Sequence, residues 1–334
     1  MSIRILAPGF QTTVQDRGRS GWRALGVGQS GAADGPALRL GNQLVGNGDD
    51  DAGLELTLLG PRLRFLDHSF FVLTGSDIVA ELGGRSIPMR RPVWARAGSE
   101  LTLGACQTGA RSYLCMAGGV DVPPVLGSRS TDVTGRLGGL LGRPLQAGDV
   151  LPIGSGDSAR WRPGAAIPDD GEPFRLARFF VQENAHSYLT AHGSAIVRVT
   201  LGSHAAELDA RARAEFFATE WQLTPESSRM GVRLDGAWRL QEPLGELVSE
   251  PLVPGTVQLP PGGRPIVLGV EAPTTGGYPR VAQVIAADLP LLGQLRPADK
   301  LRFSVVDLDA AHAAWRLQED RLLRIALGLK LRAE

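Results

Sequence analysis

Hydrophobic residues occur in short runs that are separated by turn residues along most of the chain. Runs whose residues favour strands occupy positions 54–59, 69–74 and 265–270. The 43 glycines and 23 prolines interrupt the chain too often for many long helices, and strand–helix–strand units are few. The pattern therefore predicts a mainly β protein, built as barrels or sandwiches rather than as a doubly wound sheet.

Helical spacing occurs in two places. Asp34 followed by Pro36 is typical of a helix start, and Gly46-Asn47 is typical of its end. A second helix is predicted from about Asp309, where apolar residues recur on one face: Ala311, Trp315, Leu322, Ala326 and Leu329. This stripe packs either on the chain's own barrel or on a partner, and general burial preferences favour its own barrel.

A change in composition near the middle of the chain predicts a domain boundary. The segment 154–173 is dense in Gly, Pro, Ser and Asp and has almost no aliphatic periodicity, as linkers do. We therefore predict a first subdomain at 1–153, a second at 174–308, and a C-terminal helix at 309–334. Glycine-rich turns on both sides, GVGQSGAAD and SSRMGVRLDG, favour a duplicated barrel.

Charge and cysteine content narrow the class of protein. Lys plus Arg equals Asp plus Glu at 35 each, so no overall field attracts nucleic acid or an acidic membrane, and a small-molecule or protein partner is favoured. Cys106 and Cys115 lie in strand-like surroundings and are predicted to be reduced core residues. The N-terminus lacks a long apolar stretch, and no apolar run approaches the roughly 18 residues that span a bilayer, so we expect a cytoplasmic protein.

Several familiar site signatures are excluded. Neither lysine, Lys300 or Lys330, lies in a Walker A loop. The G-x-G-x-x-G match at Gly26–Gly31 follows a polar, cationic segment instead of a buried strand, which argues against a dinucleotide site. Ser30 lacks the final glycine of a nucleophile elbow, so we interpret it as a hydroxyl donor. No Met-Lys-Met biotin attachment motif is present, and no metal site is expected, because the histidines are scattered: His68, His186, His192, His204 and His312.

Two polar clusters remain as candidate sites. TTVQDRGRSGW places Gln15, Asp16, Arg17 and Arg19 before a glycine-rich loop and the helix start at Asp34, an arrangement that suits a carboxylate or phosphate. A solvated turn in which an arginine pairs with Asp16 is an equal alternative.

The second cluster, APTTGGYP at 272–279, follows a predicted strand. Its two threonine hydroxyls, two glycines and tyrosine suit an amide or ureido group, although a structural turn explains the local pattern equally well.

Long motifs in a fixed order resemble a known family. These are TTVQDRGRSGW, GVGQSGAAD, NQLVGN, LELTLLGP, GGVDVPPVLGSRSTD, SSRMGVRLDG, SEPLVPGTVQLPPGGRPIVL and TTGGYPRVAQVIAADLP. The series resembles the biotin-dependent carboxyltransferase family that includes allophanate hydrolase subunit 2 and the C-type subunit of 5-oxoprolinase, over nearly the whole chain to about Phe303.

The resemblance implies two cyclophilin-like β-barrel subdomains with a few helices. It also implies a composite cleft shared with a sister subunit, of the type of allophanate hydrolase subunit 1 or the B-type subunit of 5-oxoprolinase. It implies acid/base roles for Glu250 and Asp34, each of which is also explained as a turn or cap residue, and an orienting role for Tyr278. Together with the polar clusters it predicts a substrate-binding set: Gln15, Asp16, Arg19, Ser30, Arg229, Arg233, Gln258, Thr274, Thr275, Gly276 and Gly277.

Three functions follow from the resemblance. The first is a subunit of an ATP-dependent 5-oxoprolinase that also contains a lactam-hydrolysing subunit. The second is a carboxyltransferase subunit for a urea-like substrate, with biotin carried on another chain. The third is a regulatory protein that sequesters its sister subunit. Departures from the family pattern at Ser203-His204, Glu271 and Pro273 put the substrate in doubt.

Overall fold

The structure is a computed structural model that describes residues 1–155, 171–182, 193–240, 244–245 and 247–333. It is mainly β with a few helices, which confirms the predicted fold class. The chain forms two compact units. The first unit comprises Met1–Arg19, Ser30–Ala185 and Leu322–Glu334, and the second comprises Ser20–Gln29 and His186–Arg321.

Two six-stranded sheets build the first unit. One has the order β11-β1-β4-β9-β6-β7, with bounds Val150–Pro152, Ser2–Ala7, Arg62–Phe65, Glu100–Cys106, Ile78–Leu82 and Arg85–Ser86. The other has the order β12-β8-β5-β10-β3-β2, with bounds Phe174–Leu176, Val93–Ala95, Ser69–Gly75, Arg111–Met116, Gly53–Thr57 and Gln11–Gln15. Every pairing within the two sheets is antiparallel.

The core of the first unit has two layers. Side chains such as Ile5 from one sheet and Leu54 from the other are fully buried in a shared apolar cluster. The other face of the second sheet is covered by helix α1, Gly35–Val45, whose Leu38 and Leu44 pack with Val72. The predicted start and end of α1 are confirmed, with Asp34 as N-cap and Gly46 as a left-handed C-cap.

A closed barrel forms the second unit. Its strand order is β13-β20-β17-β18-β15-β14-β21, with bounds Ser194–Leu201, Arg280–Val284, Thr256–Gln258, Ile266–Leu268, Gly231–Asp235, Trp221–Leu223 and Lys300–Val305. The interior is apolar and centres on Phe216 of helix α2, Ala210–Ala218, which contacts the rings of Trp221 and Phe303. A short ribbon of β16, Glu250–Pro251, and β19, Thr275–Gly276, lies beside the barrel, and helix α3 spans Leu289–Gln294.

The C-terminal helix predicted from about Asp309 is present as α4, Leu308–Ala333. Leu322 and Leu329 of its apolar stripe are buried in the core of the first unit, whereas Trp315 is 47% exposed. The stripe is therefore only partly a packing face.

The predicted domain bounds differ from the two units in several segments. Ser20–Gln29 belongs to the second unit, and Leu322–Glu334 belongs to the first. Phe174–Leu176, placed by the sequence in the second subdomain, pairs with β8 of the first unit. Residues 156–170 of the predicted linker and the histidines His186 and His192 lie outside the described residues. Cys106 and Cys115 are both buried thiols, as predicted, and burial raises the pKa of the Cys115 thiol far above its usual range.

Candidate functional site

Asp16 of the first unit organises the loop that carries the predicted polar cluster. It follows β2 directly, and its carboxylate accepts hydrogen bonds from Gly18 N at 2.7 Å, Ser128 Oγ at 2.7 Å, Arg129 N and Ser130 Oγ. The sequence offered a surface pair with Arg17 or Arg19, but Arg17 instead contacts Asp50 at 3.2 Å. A buried carboxylate with four donors holds the 128–130 loop against β2.

Gln15, Arg19 and Ser30 are brought together with this loop. The Gln15 Nε2 group donates to Thr13 Oγ1 and to Thr131 O, both at 3.0 Å. The Arg19 guanidinium is only 1% exposed and donates to Ser130 O. Three buried oxygens beside them have no hydrogen-bond partner among the described residues: Gln15 Oε1, Ser30 Oγ and Thr131 Oγ1.

Backbone conformation adds a second unusual feature to this cluster. Ser30 has φ 54°, a left-handed conformation that costs energy in a non-glycine residue and occurs often at functional sites. The next residue, Gly31, has a φ of 93°, and a Cβ at this position would lie 2.8 Å from the backbone N of Gly18. Thr131 was missed by the sequence analysis, although it lies in the GGVDVPPVLGSRSTD block.

Asp34 has a structural environment. Its side chain accepts from Ala37 N at 3.0 Å as the N-cap of α1, and its own N–H donates to Tyr113 Oη at 2.8 Å. Tyr113 Oη in turn donates to Glu55 at 2.8 Å. Burial, followed by the charges of Glu55 and Asp34, raises the pKa of Tyr113 well above its usual value, so this network keeps the phenol protonated.

The second unit separates its two predicted arginines. Arg229 is buried and its Nε donates to Glu271 at 2.6 Å. Arg233 lies on β15 with its side chain exposed. The pair with Arg229 gives Glu271, one of the departures from the family pattern, a direct electrostatic partner.

The TTGGYP segment is positioned by the β16–β19 ribbon. Glu250 is the register partner of Gly276, and Pro251 is that of Thr275. Thr274 O accepts from Leu252 N at 2.9 Å, which extends the ribbon by one residue. The Glu250 carboxylate binds Arg280 Nη2, so this predicted acid/base group is held in an ion pair.

A pocket opens beside this ribbon. It is lined by Gly277 and Tyr278 of the predicted motif and by mostly apolar neighbours: Leu244, Gly245, Leu247, Pro261 and Pro279. Tyr278 is 46% exposed, so its hydroxyl remains available to a ligand. The aliphatic walls suit the methylene groups of a small ring, and the tyrosine adds one polar group.

Two arginines that the sequence analysis missed complete this region. Arg23 Nη2 donates to Leu252 O, and burial lowers the pKa of Arg23. Arg280 contacts Glu250 and Pro251. Arg23 follows the motif TTVQDRGRSGW and Arg280 lies within TTGGYPRVAQVIAADLP, and this placement was the available signal. Among the residues that the structure describes, no group of three or more His, Cys, Asp or Glu side chains could hold a metal ion, and no helix is long and apolar enough to cross a membrane.

Comparisons with known proteins agree over nearly the whole chain. Residues 25–305 match the model of the family described as carboxyltransferase domain, subdomain A and B. The chain is 38% identical to the C-type subunit of 5-oxoprolinase from Escherichia coli over 98% of both chains. It is 34% identical to the corresponding subunit from Haemophilus influenzae over 97% of this chain and 98% of the relative.

A solved structure shares the fold. Kluyveromyces lactis urea carboxylase superposes with a TM-score of 0.83 at 29% identity, over 96% of this chain and 29% of the other. The present chain therefore spans less than a third of that larger protein.

Proposed function

Because the chain belongs to the carboxyltransferase domain family, subdomains A and B, we propose that it is one subunit of an ATP-dependent 5-oxoprolinase-type assembly that opens the lactam 5-oxoproline to glutamate. The observation that carries this proposal is the 38% identity to a C-type 5-oxoprolinase subunit across 98% of both chains.

The geometry of the second unit supports a lactam substrate. The pocket at Gly277 and Tyr278 offers apolar walls for a small ring, and the ion-paired Glu250 lies on the same ribbon. In this proposal Tyr278 orients the amide through its hydroxyl, and the backbone of Thr275 and Gly276 shapes the entrance. The cluster of Gln15, Arg19 and Ser30 supplies a further polar site in the first unit.

The assembly is proposed to contain two further subunits. One is a sister cyclophilin-like subunit, which completes the cleft, and the other is a lactam-hydrolysing subunit. ATP is used by the assembly as a whole. We expect the isolated chain to be inactive on 5-oxoproline, because its described polar groups include no complete set for lactam opening.

Reconstitution tests this function. The chain, its sister subunit and the lactam-hydrolysing subunit are combined with 5-oxoproline and ATP, and glutamate and ADP are measured, with each subunit omitted in turn. The expected result is glutamate formation that requires all three. Glutamate formation at full rate without this chain would contradict the proposal.

A carboxyltransferase function is the second candidate. The TM-score of 0.83 to urea carboxylase favours it, with a carboxyl group arriving from carboxybiotin on another chain. The same preparation, supplied with carboxybiotin and urea, distinguishes the two functions. Carboxylated urea without activity on 5-oxoproline would establish this second function instead.

Tyr278→Phe tests the pocket itself. Loss of the hydroxyl is expected to lower turnover of the assembly on 5-oxoproline by about tenfold to a hundredfold, because a misplaced reacting group is costly even when binding survives. Thermal melting and complex formation serve as controls and should be unchanged, since the side chain is half exposed. Equal turnover in the variant and the wild type would remove Tyr278 from the site.

A further inference from the structure

Two residues with buried N–H groups lie opposite each other on neighbouring strands of the second unit's barrel. Gln258 of β17 and Arg280 of β20 are register partners, so their side chains leave the sheet side by side. Gln258 is 5% exposed, and its Nε2 has no hydrogen-bond partner among the described residues. The buried Nε of Arg280 also lacks a partner within that part of the chain.

The Arg280 side chain is fixed from two directions. Its Nη1 donates to Pro251 O at 3.2 Å, and its Nη2 donates to the Glu250 carboxylate. The Arg280 backbone N–H donates to His204 Nδ1 at 3.1 Å, which also fixes the start of β20. The guanidinium is therefore held before any ligand arrives, and within the described residues its Nε is the donor left without a partner.

Gly276 leaves space beside Gln258 Nε2, because it has no side chain. A Cβ at this position would lie 3.1 Å from Gln258 Nε2 and 2.6 Å from Leu252 Cδ1. Gly276 is also the register partner of Glu250, which binds Arg280. Gln258 Nε2 therefore lies beside a backbone position without a side chain, and the next residue, Gly277, lines the pocket together with Tyr278.

Unpartnered buried donors require an acceptor, because a buried N–H without a partner loses its hydration and gains nothing in return. Both available groups are donors, so the ligand must contribute an oxygen. The Glu250 carboxylate already balances the charge of Arg280, which favours a neutral carbonyl oxygen over a carboxylate.

We propose that Gln258 Nε2 and Arg280 Nε bind the carbonyl oxygen of a small amide or lactam. This inference deepens the proposed function, on which it rests for the class of substrate. Gln258 thereby gains a specific role within the predicted set, and Arg280 becomes a substrate-binding residue outside that set. The adjacent aliphatic walls would receive the ring carbons of the same ligand.

Side-chain amide NMR on the full chain tests the site directly. Glutamine is labelled with nitrogen-15, the Gln258 amide is assigned as the resonance missing from Gln258→Met, and 2-pyrrolidone is added as the probe. The Gln258 resonance is expected to shift saturably, whereas that of Gln222, an exposed residue of β14 that donates to Ala298 O at 3.2 Å, should not. Pyrrolidine-2-thione should bind more weakly, because sulfur is a poorer acceptor than oxygen.

Two variants sharpen the test. Gln258→Met removes the donor at nearly constant volume and should weaken 2-pyrrolidone binding about threefold to tenfold, the change expected from one neutral hydrogen bond. Gln222→Met is the matched control and should bind as the wild type does. Gln258→Glu places a charged acceptor against the ligand oxygen and should abolish binding.

Three outcomes would overturn the inference. The first is an unchanged Gln258 resonance, which means that water alone occupies the place. The second is equal binding by Gln258→Met and the wild type. The third is a Gln258→Glu protein that is more stable than the wild type and still binds 2-pyrrolidone. This result would mean that Arg280 Nε donates to an oxygen of residue 258 and not to the ligand.

The result is separable from that of the reconstitution. An assembly without activity on 5-oxoproline, combined with a saturable Gln258 shift, would remove the proposed function and keep the amide site. Activity on 5-oxoproline with KM and kcat unaffected by Gln258→Met would keep the function and remove the site.

Discussion

Glu220 of the second unit links the stability of the chain to pH through its ion pairs. Glu220 accepts hydrogen bonds from Lys300 Nζ at 2.8 Å, Ser194 Oγ at 2.6 Å and Arg302 at 3.3 Å. These contacts, led by that of Lys300, lower the pKa of Glu220 from 4.5 to about 2. A depressed carboxyl pKa contributes stability above the unfolded pKa, and this contribution is lost as the pH falls through the folded pKa.

We therefore expect Glu220→Gln to lower the melting temperature near neutral pH and to matter progressively less between pH 4.5 and about 2. Thermal melts of the two proteins across this range give the measurement. Glu207→Gln, an exposed surface change in the same unit, is the control. A melting-temperature difference that stays constant down to the acid end of the range would show that the Glu220 contacts carry no pH-linked stability.

Two glutamines of the barrel should differ in how much stability the same substitution costs. Gln283 is fully engaged: its Nε2 donates to Pro254 O at 2.9 Å and Val284 O at 3.2 Å, and its Oε1 accepts from Thr256 Oγ1 at 2.9 Å. Gln283→Met should cost about 1–3 kcal/mol, because it removes the donor to two carbonyls and one of two acceptors of the Thr256 hydroxyl, which keeps its bond to Val253 O at 2.8 Å. Gln258→Met should cost less than this or stabilise the protein, since it removes a donor that has no partner among the described residues.

Denaturant unfolding of both methionine variants checks the comparison. The unfolding midpoints are compared on condition that the denaturant dependence of the unfolding free energy is the same in all proteins. A larger loss of stability in Gln258→Met than in Gln283→Met would mean that Gln258 has a structural partner. That result would also weaken the amide-site proposal independently of any ligand.

At the scale of elements, helix α1 offers a test of Asp34. The sequence predicted both a helix start and an acid/base role for Asp34, and the structure shows Asp34 as the N-cap of α1. Serine caps helices about as well as aspartate but cannot act as a general base near neutral pH. Asp34→Ala should cost about 0.5–2 kcal/mol of stability, and Asp34→Ser should restore most of it.

The same pair of variants separates the two roles in the assembly. If Asp34 is only a cap, Asp34→Ser should turn over 5-oxoproline nearly as fast as the wild type. A stable Asp34→Ser protein with turnover as low as that of Asp34→Ala would support the acid/base role instead.

Elements whose signals are local were predicted well from the sequence. The Asp34-Pro36 start and Gly46 end of α1 are each marked by adjacent residues, and β5 at Ser69–Gly75 matches the predicted run at 69–74. Helix α2 was missed because its residues are mostly exposed and show no clear apolar face. Strand β12 was misplaced because its pairing with β8 joins residues about 80 positions apart, which no local pattern reports.

The candidate sites follow the same rule. Asp16, Gln15 and Arg19 were marked by a dense local motif, but their partners Ser128, Ser130 and Thr131 lie more than 100 positions later. Arg280 was missed because its meaning depends on Gln258 and Glu250, which reach it only through barrel and ribbon pairing. Site residues that are brought together by long-range strand pairing can be recognised only once the fold is known.

At the scale of the whole molecule, the decisive prediction concerns partnership. Relatives that match this chain over 98% of their length are named as subunits, and the matching region of urea carboxylase is less than a third of a larger protein. Both findings favour a site completed by another polypeptide.

We expect this chain and its sister subunit, co-expressed and passed over a size-exclusion column, to elute together ahead of either alone. The Tyr278→Phe and Gln258→Met variants should co-elute equally well, because a ligand-site change leaves the assembly intact. Separate elution of the two wild-type chains at micromolar concentration would remove the composite-site proposal, and the pocket at Gly277 and Tyr278 would then have to act within this chain alone.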